Sequence, residues 1–394
     1  MRGGFSLCVA QCGGTWIRWG ISSVEGNSIR AGLLALGVLA LSAPAGADEP
    51  WAAFTQNDLI GFKDAQGTVK VAPRLSPMFT IARRFEHIIA AGEETADGYR
   101  TYYLLRDGRR VAPEAVYFFD NAPVCESENS IRFRDRQRDK VGFLDGRGQV
   151  LIPAELNDAS AMRNGMVVAL TGASRTCADP GTSLEQCEHR GWKGGTELLL
   201  DRHGKTLVSN FDSTRAGALD WFSQQASEQP SNDPRRVSFK GVDGRYLSFV
   251  DIEKDFALWF RDVFLAQLDD DSLKAHSYSR IWLGLGSEPL DEWQAAPVGD
   301  VLRQHAAELR KRLETLRASG GYGVRRDDMG WPFDPESDPQ YFDNCGDFAH
   351  WTTPKVSAME HWEQGSFEPA NHASFDFIRA ADGYRLVAFS IPKQ

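Results

Sequence analysis

The chain has 394 residues, of which 42% are hydrophobic and 25% are charged, an ordinary composition for a globular protein. This length suggests two domains, or one repeat domain with an addition. The formal net charge is −10, and an acidic surface of this kind repels polyanions. We therefore expect no nucleic-acid partner.

The N-terminal region has the pattern of an export signal. Arg30 precedes an apolar run over 31–41, and the small residues Ala45-Gly46-Ala47 follow it. A basic start, a short apolar segment and an A-x-A site predict a signal peptide near 28–47, so 1–47 comprises an upstream extension plus this signal. Because no later stretch contains 18 consecutive apolar residues, we expect no membrane span in the mature chain and a periplasmic or secreted protein.

A turn signature recurs along the next 200 residues. Its glycines lie 41, 40, 56 and 40 residues apart, at Gly67, Gly108, Gly148, Gly204 and Gly244. Each follows an aspartate and is flanked by β-rich runs, which predicts hairpins with Asp…Gly turns. A period of this size indicates stacked or radially arranged supersecondary units.

Two of these units share a glycine–aromatic pair in the strand before the turn, Gly61-Phe62 and Gly142-Phe143. With the D-x-x-G turn that follows, this pattern over roughly residues 52–250 resembles the WG-repeat family, although phenylalanine replaces the tryptophan that names it. The resemblance implies a β-rich scaffold, often in bacterial exported or surface proteins, with no shared catalytic residues. We predict a mainly β repeat domain over 48–250, propeller-like or solenoid-like, made of antiparallel hairpins.

The single long interval between glycines indicates an insertion over 172–195, which contains two cysteines. A proline–glycine turn between Cys177 and Cys187 favours a disulfide that closes this insert. By elimination, Cys125 pairs with Cys345, which would fasten the repeats to the C-terminal region. A zinc site is the alternative, but the four cysteines contain no C-x₂-C pair.

After residue 250 the period ends, and 251–394 is predicted to be a mixed α/β region. Apolar residues recur every three or four positions over 253–268 and again after Pro297, where a longer helix ends at Gly320. The last segment, 375–392, reads as another Asp-Gly hairpin, which we expect to pack back on the repeats.

Residues 322–372 are aromatic and acidic without a regular pattern, which favours a bulky core, a binding groove or both. Tryptophans stack on sugar rings, and carboxylates and imidazoles hydrogen-bond ligands. No nucleophile-elbow, zincin, phosphate-loop or dinucleotide motif occurs, so no catalytic, metal or cofactor-binding residue is assigned. The candidate ligand contacts are Trp331, Asp338, Asp347, His350 and Trp351.

These features together predict an exported, non-enzymatic β-repeat protein that binds or scaffolds a protein or glycan of the bacterial envelope. The alternative hypothesis is a secreted hydrolase of glycan or peptide that uses carboxylates of the 334–350 segment. A third is a purely structural envelope component.

Overall fold

The structure, a computed structural model, describes residues 49–119, 121–179, 181–188, 190–284, 293–360 and 373–391. The predicted extension and signal peptide over 1–47 lie outside these ranges. Strands dominate, and the α-helices lie toward the C-terminus, as predicted. The strands form many small sheets, and in the described part of the chain no sheet closes into a barrel and no closed propeller is present.

Short strands make up the first 200 described residues. Up to the insertion they are β1 (Trp51–Gln56), β2 (Leu59–Lys63), β3 (Val69–Leu75), β4 (Arg84–Phe85), β5 (Ile88–Thr95), β6 (Gly98–Leu105), β7 (Arg110–Val111), β8 (Phe118–Phe119), β9 (Ala122–Pro123), β10 (Ser130–Asp135), β11 (Lys140–Asp145), β12 (Val150–Leu156), β13 (Asp158–Ala159) and β14 (Met166–Thr171). From the insertion onward they are β15 (Ser174–Cys177), β16 (Arg190–Lys193), β17 (Thr196–Asp201), β18 (Thr206–Ser209), β19 (Leu219–Ser227), β20 (Arg236–Lys240) and β21 (Tyr246–Asp251).

The first four repeat units share one topology. Each is an antiparallel meander whose middle strand precedes the Asp…Gly turn: β1-β2-β3, β5-β6-β7, β10-β11-β12 and β14-β17-β18. The fifth unit differs, because its order is β19-β21-β20 and β19 pairs with the strand that follows the turn. The hairpin repeat is therefore confirmed, with a change of strand order in its last copy.

Turn chemistry explains why these hairpins recur. All five glycines have φ between 74° and 89°, the left-handed region that favours glycine. In the third unit, Asp145 Oδ1 accepts hydrogen bonds from the backbone N–H groups of Arg147 (3.0 Å) and Gln149 (2.8 Å). Asp64 and Asp201 accept a pair of backbone hydrogen bonds in the same way, and Asp107 and Asp243 accept one backbone hydrogen bond each. These aspartates are thus accounted for by their turns.

Successive units stack face to face. Alternate residues of β5 enter two different cores: Ile88 packs with the second to fourth units, whereas Ile89 packs with the first and second. In the fourth unit, Val167 and Met166 divide in the same way between that middle core and the core shared with the fifth unit. The period-2 geometry of a strand thus buries both faces of the inner units.

The insertion forms a separate hairpin. Strands β15 and β16 pair with each other between β14 and β17, which continue their own sheet on either side. The disulfide Cys177–Cys187 closes it, with the two Cα atoms 5.7 Å apart.

The C-terminal region is a six-stranded sheet with helices on one face. After β21 its elements are α1 (Ile252–Trp259), a π-helical turn (Phe260–Phe264), α2 (Asp270–Ala275), β22 (Ser277–Gly284), β23 (Trp293–Pro297), α3 (Val298–Ser319), β24 (Tyr322–Asp327), a 3₁₀ turn (Pro339–Tyr341), β25 (Lys355–Glu360), β26 (Ser374–Ala380) and β27 (Gly383–Ser390). The sheet order is β23-β22-β27-β26-β25-β24, with only the β22–β27 pair parallel. The apolar stripe of α3 packs on this sheet, so the predicted helix after Pro297 is confirmed.

The predicted last hairpin exists as β26 and β27, but these strands lie in the middle of the C-terminal sheet and extend no sheet of the repeats. The hairpin reaches the repeats through Arg379, whose guanidinium pairs with Asp220 at 2.7 Å. Within the described ranges, no helix has the length and apolar character needed to cross a membrane.

Candidate functional site

Residues 328–351, between β24 and β25, form an irregular stretch that we call the junction segment. Its aromatic residues Phe333, Phe342 and Phe348 cover the face of the C-terminal sheet opposite the helices, where they pack against Ile378 and Val387. These three aromatic side chains of the segment therefore belong to a hydrophobic core. Other residues of the segment, among them Asn344, Cys345 and Trp351, contact the repeats.

The junction segment and the end of β24 meet the connections between successive repeat units, residues 76–87, 112–129, 157–165 and 210–218. In the first connection, Asn344 accepts a hydrogen bond from the backbone N–H of Arg84 at 2.7 Å and donates to its carbonyl at 2.9 Å. Arg83 also donates from its backbone to the carbonyl of Asn344, at 2.9 Å.

The other three connections make different contacts. The second is joined to the segment by the disulfide Cys125–Cys345, which links residues 220 positions apart. In the third, the guanidinium of Arg163 lies 4.2 Å from the ring of Trp351. In the fourth, Gly217 lies so close to the guanidinium of Arg326 that any Cβ would clash with it. Four separate repeat connections therefore converge on one short stretch of chain.

Electrostatic perturbation is concentrated at this convergence. Burial, reinforced by the neighbouring charge of Asp347, raises the pKa of Asp343 to about 6. Asp347 keeps a large exposed surface, yet partial desolvation raises its pKa as well. Asp343 is held by backbone N–H groups of Cys345 (2.8 Å) and Asp347 (3.0 Å), which donate to its Oδ1. Carboxylate oxygens of the two aspartates lie within 4.8 Å of each other.

His350 is neutral at physiological pH. Burial and then the nearby charge of Arg163 lower its pKa to about 4. Its ring meets that of Trp351 edge to face, with centroids 5.1 Å apart. A neutral imidazole can donate through one nitrogen and accept through the other, so His350 can bind either kind of polar group.

The structure brings two of the five predicted ligand contacts, His350 and Trp351, next to Arg163, and a third, Asp347, lies beside Asp343. Trp331 lies elsewhere in the segment: its ring is 38% exposed and tilts against Trp293 at 4.5 Å. The buried Lys355 donates to the carbonyl of Trp331. Asp338 faces its own loop, where its Oδ2 accepts from the backbone N–H of Asp334 at 3.2 Å.

The predicted ligand contacts did not include Arg163, Asp343 or Asn344, although Asp343 belongs to the 334–350 segment whose carboxylates the hydrolase hypothesis used. Their only sequence signal is position: Arg163 lies in a connection between repeats, and the other two directly precede Cys345. Neither feature marks a binding residue without the tertiary contacts.

A second polar cluster lies beside the disulfide, where ligand atoms of Glu86, His87 and Glu126 are within 4.8 Å of one another. The buried Glu126 accepts backbone hydrogen bonds from His87 (2.9 Å) and Ile88 (3.0 Å) and contacts His87 Nδ1 at 2.6 Å. These bonds account for its burial, so the cluster fastens the start of β5 to the second connection.

No protein-family model matches this chain, and no curated protein matches it either. Among solved structures, it shows similarity to the crystal structure of a member of the DUF4221 family from Bacteroides vulgatus. The two are 8% identical, the match covers 87% of each chain, and the TM-score is 0.18. A TM-score this low supports no conclusion about fold or function.

Proposed function

We propose that this chain is an exported, non-enzymatic β-repeat protein that binds a protein or a glycan of the bacterial envelope. In this proposal its units are divergent WG repeats in a propeller-like or solenoid-like series. The observation that carries the proposal is the convergence of four repeat connections on the junction segment and the end of β24. Such a surface is assembled from distant parts of the chain and held before any ligand arrives, which reduces the entropic cost of binding.

The groups available there support binding. The junction combines an exposed carboxylate at Asp347, a neutral imidazole at His350 and a guanidinium at Arg163. Recognition sites typically combine a few such polar groups with aromatic side chains. Export is supported by the two disulfides, because such bonds persist mainly in oxidising compartments.

Hydrogen–deuterium exchange on the intact protein tests this proposal. The probes are soluble fragments of purified envelope polysaccharide and, separately, solubilised envelope proteins fractionated to single species. We expect saturable binding of one of them, with slowed amide exchange over 328–351 and 157–165. The insert hairpin, β15 and β16, serves as internal comparison and should keep its exchange rates. Absence of saturable binding by both probes, or protection confined to other surfaces, would refute the proposal.

One observation favours the hydrolase as a second candidate. Asp343 and Asp347 have carboxylate oxygens within 4.8 Å of each other, and burial holds the pKa of Asp343 at about 6. Retaining glycosidases use two carboxylates about 5–5.5 Å apart, one of them an acid of raised pKa. If the polysaccharide fragments are cleaved, and Asp347→Ala abolishes cleavage without lowering the melting temperature, the hydrolase replaces the binding protein.

A further inference from the structure

Arg163 carries a charge that the described part of the protein leaves unpaired. Its Nε is closed off from solvent and has no hydrogen-bond partner. The guanidinium forms no hydrogen bond or ion pair with any described residue, and it lies over the Trp351 ring, 4.2 Å from the ring centroid. Enclosed charges in proteins are normally paired, because desolvation of an unpaired charge is costly.

Two neighbouring arginines have the protein partners that Arg163 lacks. Arg132 donates from Nη1 to the carbonyl of Ala159 at 2.8 Å, and Arg326 pairs with Asp328 at 2.8 Å. Both guanidinium groups have hydrogen-bond or ion-pair partners, whereas the guanidinium of Arg163 has neither among the described residues. Unlike Nε, its two Nη groups are not sealed from solvent, so they remain available to a ligand.

The surrounding charges leave the region cationic. Burial, followed by the charge of Arg132, lowers the pKa of Arg163 to about 10, so the guanidinium stays protonated at neutral pH. The charges of Asp343 and Asp328 act in the opposite direction and raise the pKa of Arg163. Asp328 is itself paired with Arg326. His350 adds no charge at neutral pH. Around this point three guanidinium groups, those of Arg132, Arg163 and Arg326, outnumber the two carboxylates that act on Arg163, those of Asp343 and Asp328.

We propose that the ligand of the junction carries an oxyanion, a carboxylate or phosphate group, and that Arg163 binds it through both Nη groups. This inference rests on the proposed function and names the ligand class of the same site. A guanidinium presents two parallel N–H donors to an oxyanion, which an ammonium group does not. The Trp351 ring packs against the guanidinium and restricts it, so less conformational entropy is lost when the anion binds.

Calorimetric titration of the intact protein tests the assignment with three probes: an oligogalacturonate, a neutral oligosaccharide of equal length, and inorganic phosphate. We expect the oligogalacturonate to bind and the neutral oligosaccharide to bind at least tenfold more weakly. Arg163→Gln should weaken oligogalacturonate binding at least tenfold, and Arg163→Lys should also weaken it because the fork is lost. Competition by phosphate would identify phosphate groups as an equally acceptable source of the oxyanion.

Arg147→Gln is the matched control, since Arg147 is exposed on a turn of the third unit and loses the same charge. It should bind as the unchanged protein does. Arg163→Gln should melt at the same or a higher temperature, because an unpaired enclosed charge is removed. If the neutral oligosaccharide binds equally well, or Arg163→Gln binds as tightly as Arg147→Gln, the oxyanion assignment is wrong while the binding function stands. If no probe binds, the binding function itself loses its support.

Discussion

Trp351 shows how a residue predicted as a ligand contact can have a different role. Its ring packs against the core shared by the fourth and fifth units, and it also supports the guanidinium of Arg163. A tryptophan occupied in this way positions a binding group more readily than it stacks on a sugar ring. The sequence pointed to this region through its tryptophans and carboxylates, whereas the group that we propose to bind the ligand is an arginine from another part of the chain.

Asp343 provides a prediction at the residue scale. Its folded-state pKa is raised to about 6, so between pH 4 and 6 the folded protein holds a proton that the unfolded chain has released. Its contribution to stability is therefore favourable at low pH and is lost as the pH rises through 6. Asp343→Asn keeps the acceptor oxygen for the turn and removes the charge. We expect it to increase the free energy of unfolding by about 1–2 kcal/mol at pH 7 and by little at pH 4, as measured by urea denaturation.

Asp243 is the matched control, because it occupies a similar turn but the Arg245 guanidinium lowers its pKa. Asp243→Asn should lower stability slightly at pH 7, the opposite sign. Equal signs for the two variants would contradict the assignment of burial as the cause at Asp343.

At the scale of the elements, the glycine–aromatic pair of the repeat has a packing explanation. Gly142 pairs across β10 and β11 with Phe133, whose ring covers the glycine. A Cβ at Gly142 would lie 2.5 Å from the carbonyl oxygen of Ile152 and 2.8 Å from the Phe133 ring. Gly61 in the first unit has the same relation to Phe54. The glycine is thus required by the close approach of the third strand and by the cross-strand ring.

Gly142→Ala should therefore lower the free energy of unfolding by about 1–3 kcal/mol, the usual cost of overpacking where neighbours cannot move freely. Gly191→Ala is the control, since a Cβ on this strand glycine meets only the Thr176 methyl, at 3.9 Å. It should change stability by less than about 0.5 kcal/mol. Chemical denaturation measures both, and similar losses in the two variants would refute the packing explanation.

At the scale of the whole molecule, the two disulfides constrain very different lengths of chain. Cys177–Cys187 closes a loop with a sequence separation of 10, whereas Cys125–Cys345 spans 220 residues and joins the repeats to the C-terminal region. A cross-link over a longer loop removes more entropy from the unfolded chain. The long-range bond also holds the junction segment against the second connection.

Replacing Cys125 and Cys345 together by serine should lower the free energy of unfolding by about 4–5 kcal/mol. Replacing Cys177 and Cys187 together should lower it by about 2–3 kcal/mol. Differential scanning calorimetry of both double variants measures the difference. Replacing Cys125 and Cys345 should also increase the rate of amide exchange over 328–351. Replacing Cys177 and Cys187 should leave that rate unchanged. Equal thermal losses, or unchanged exchange in the junction segment, would show that the long-range bond does not hold the two regions together.

Much of the scaffold followed from the sequence because its determinants are local. An Asp…Gly turn needs one side-chain acceptor and one residue at positive φ, and both requirements are met within five residues. The stripe of α3 likewise depends on spacing within one helix. The different pairing of β19 could not be predicted, since both candidate partners, β20 and β21, are β-rich strands of the same hairpin.

The sequence by itself determined the recurring hairpins, the long C-terminal helix and the cysteine pairings, because turn geometry, helical period and elimination among four cysteines constrain them. Only the tertiary structure decided the site. Arg163 and Trp351 lie far apart along the chain, and Asn344 meets Arg84 from 260 residues away. Neither local propensity nor residue spacing predicts such long-range contacts. They arise where the units pack against one another, and among the described residues that packing leaves the guanidinium of Arg163 without a hydrogen-bond or ion-pair partner.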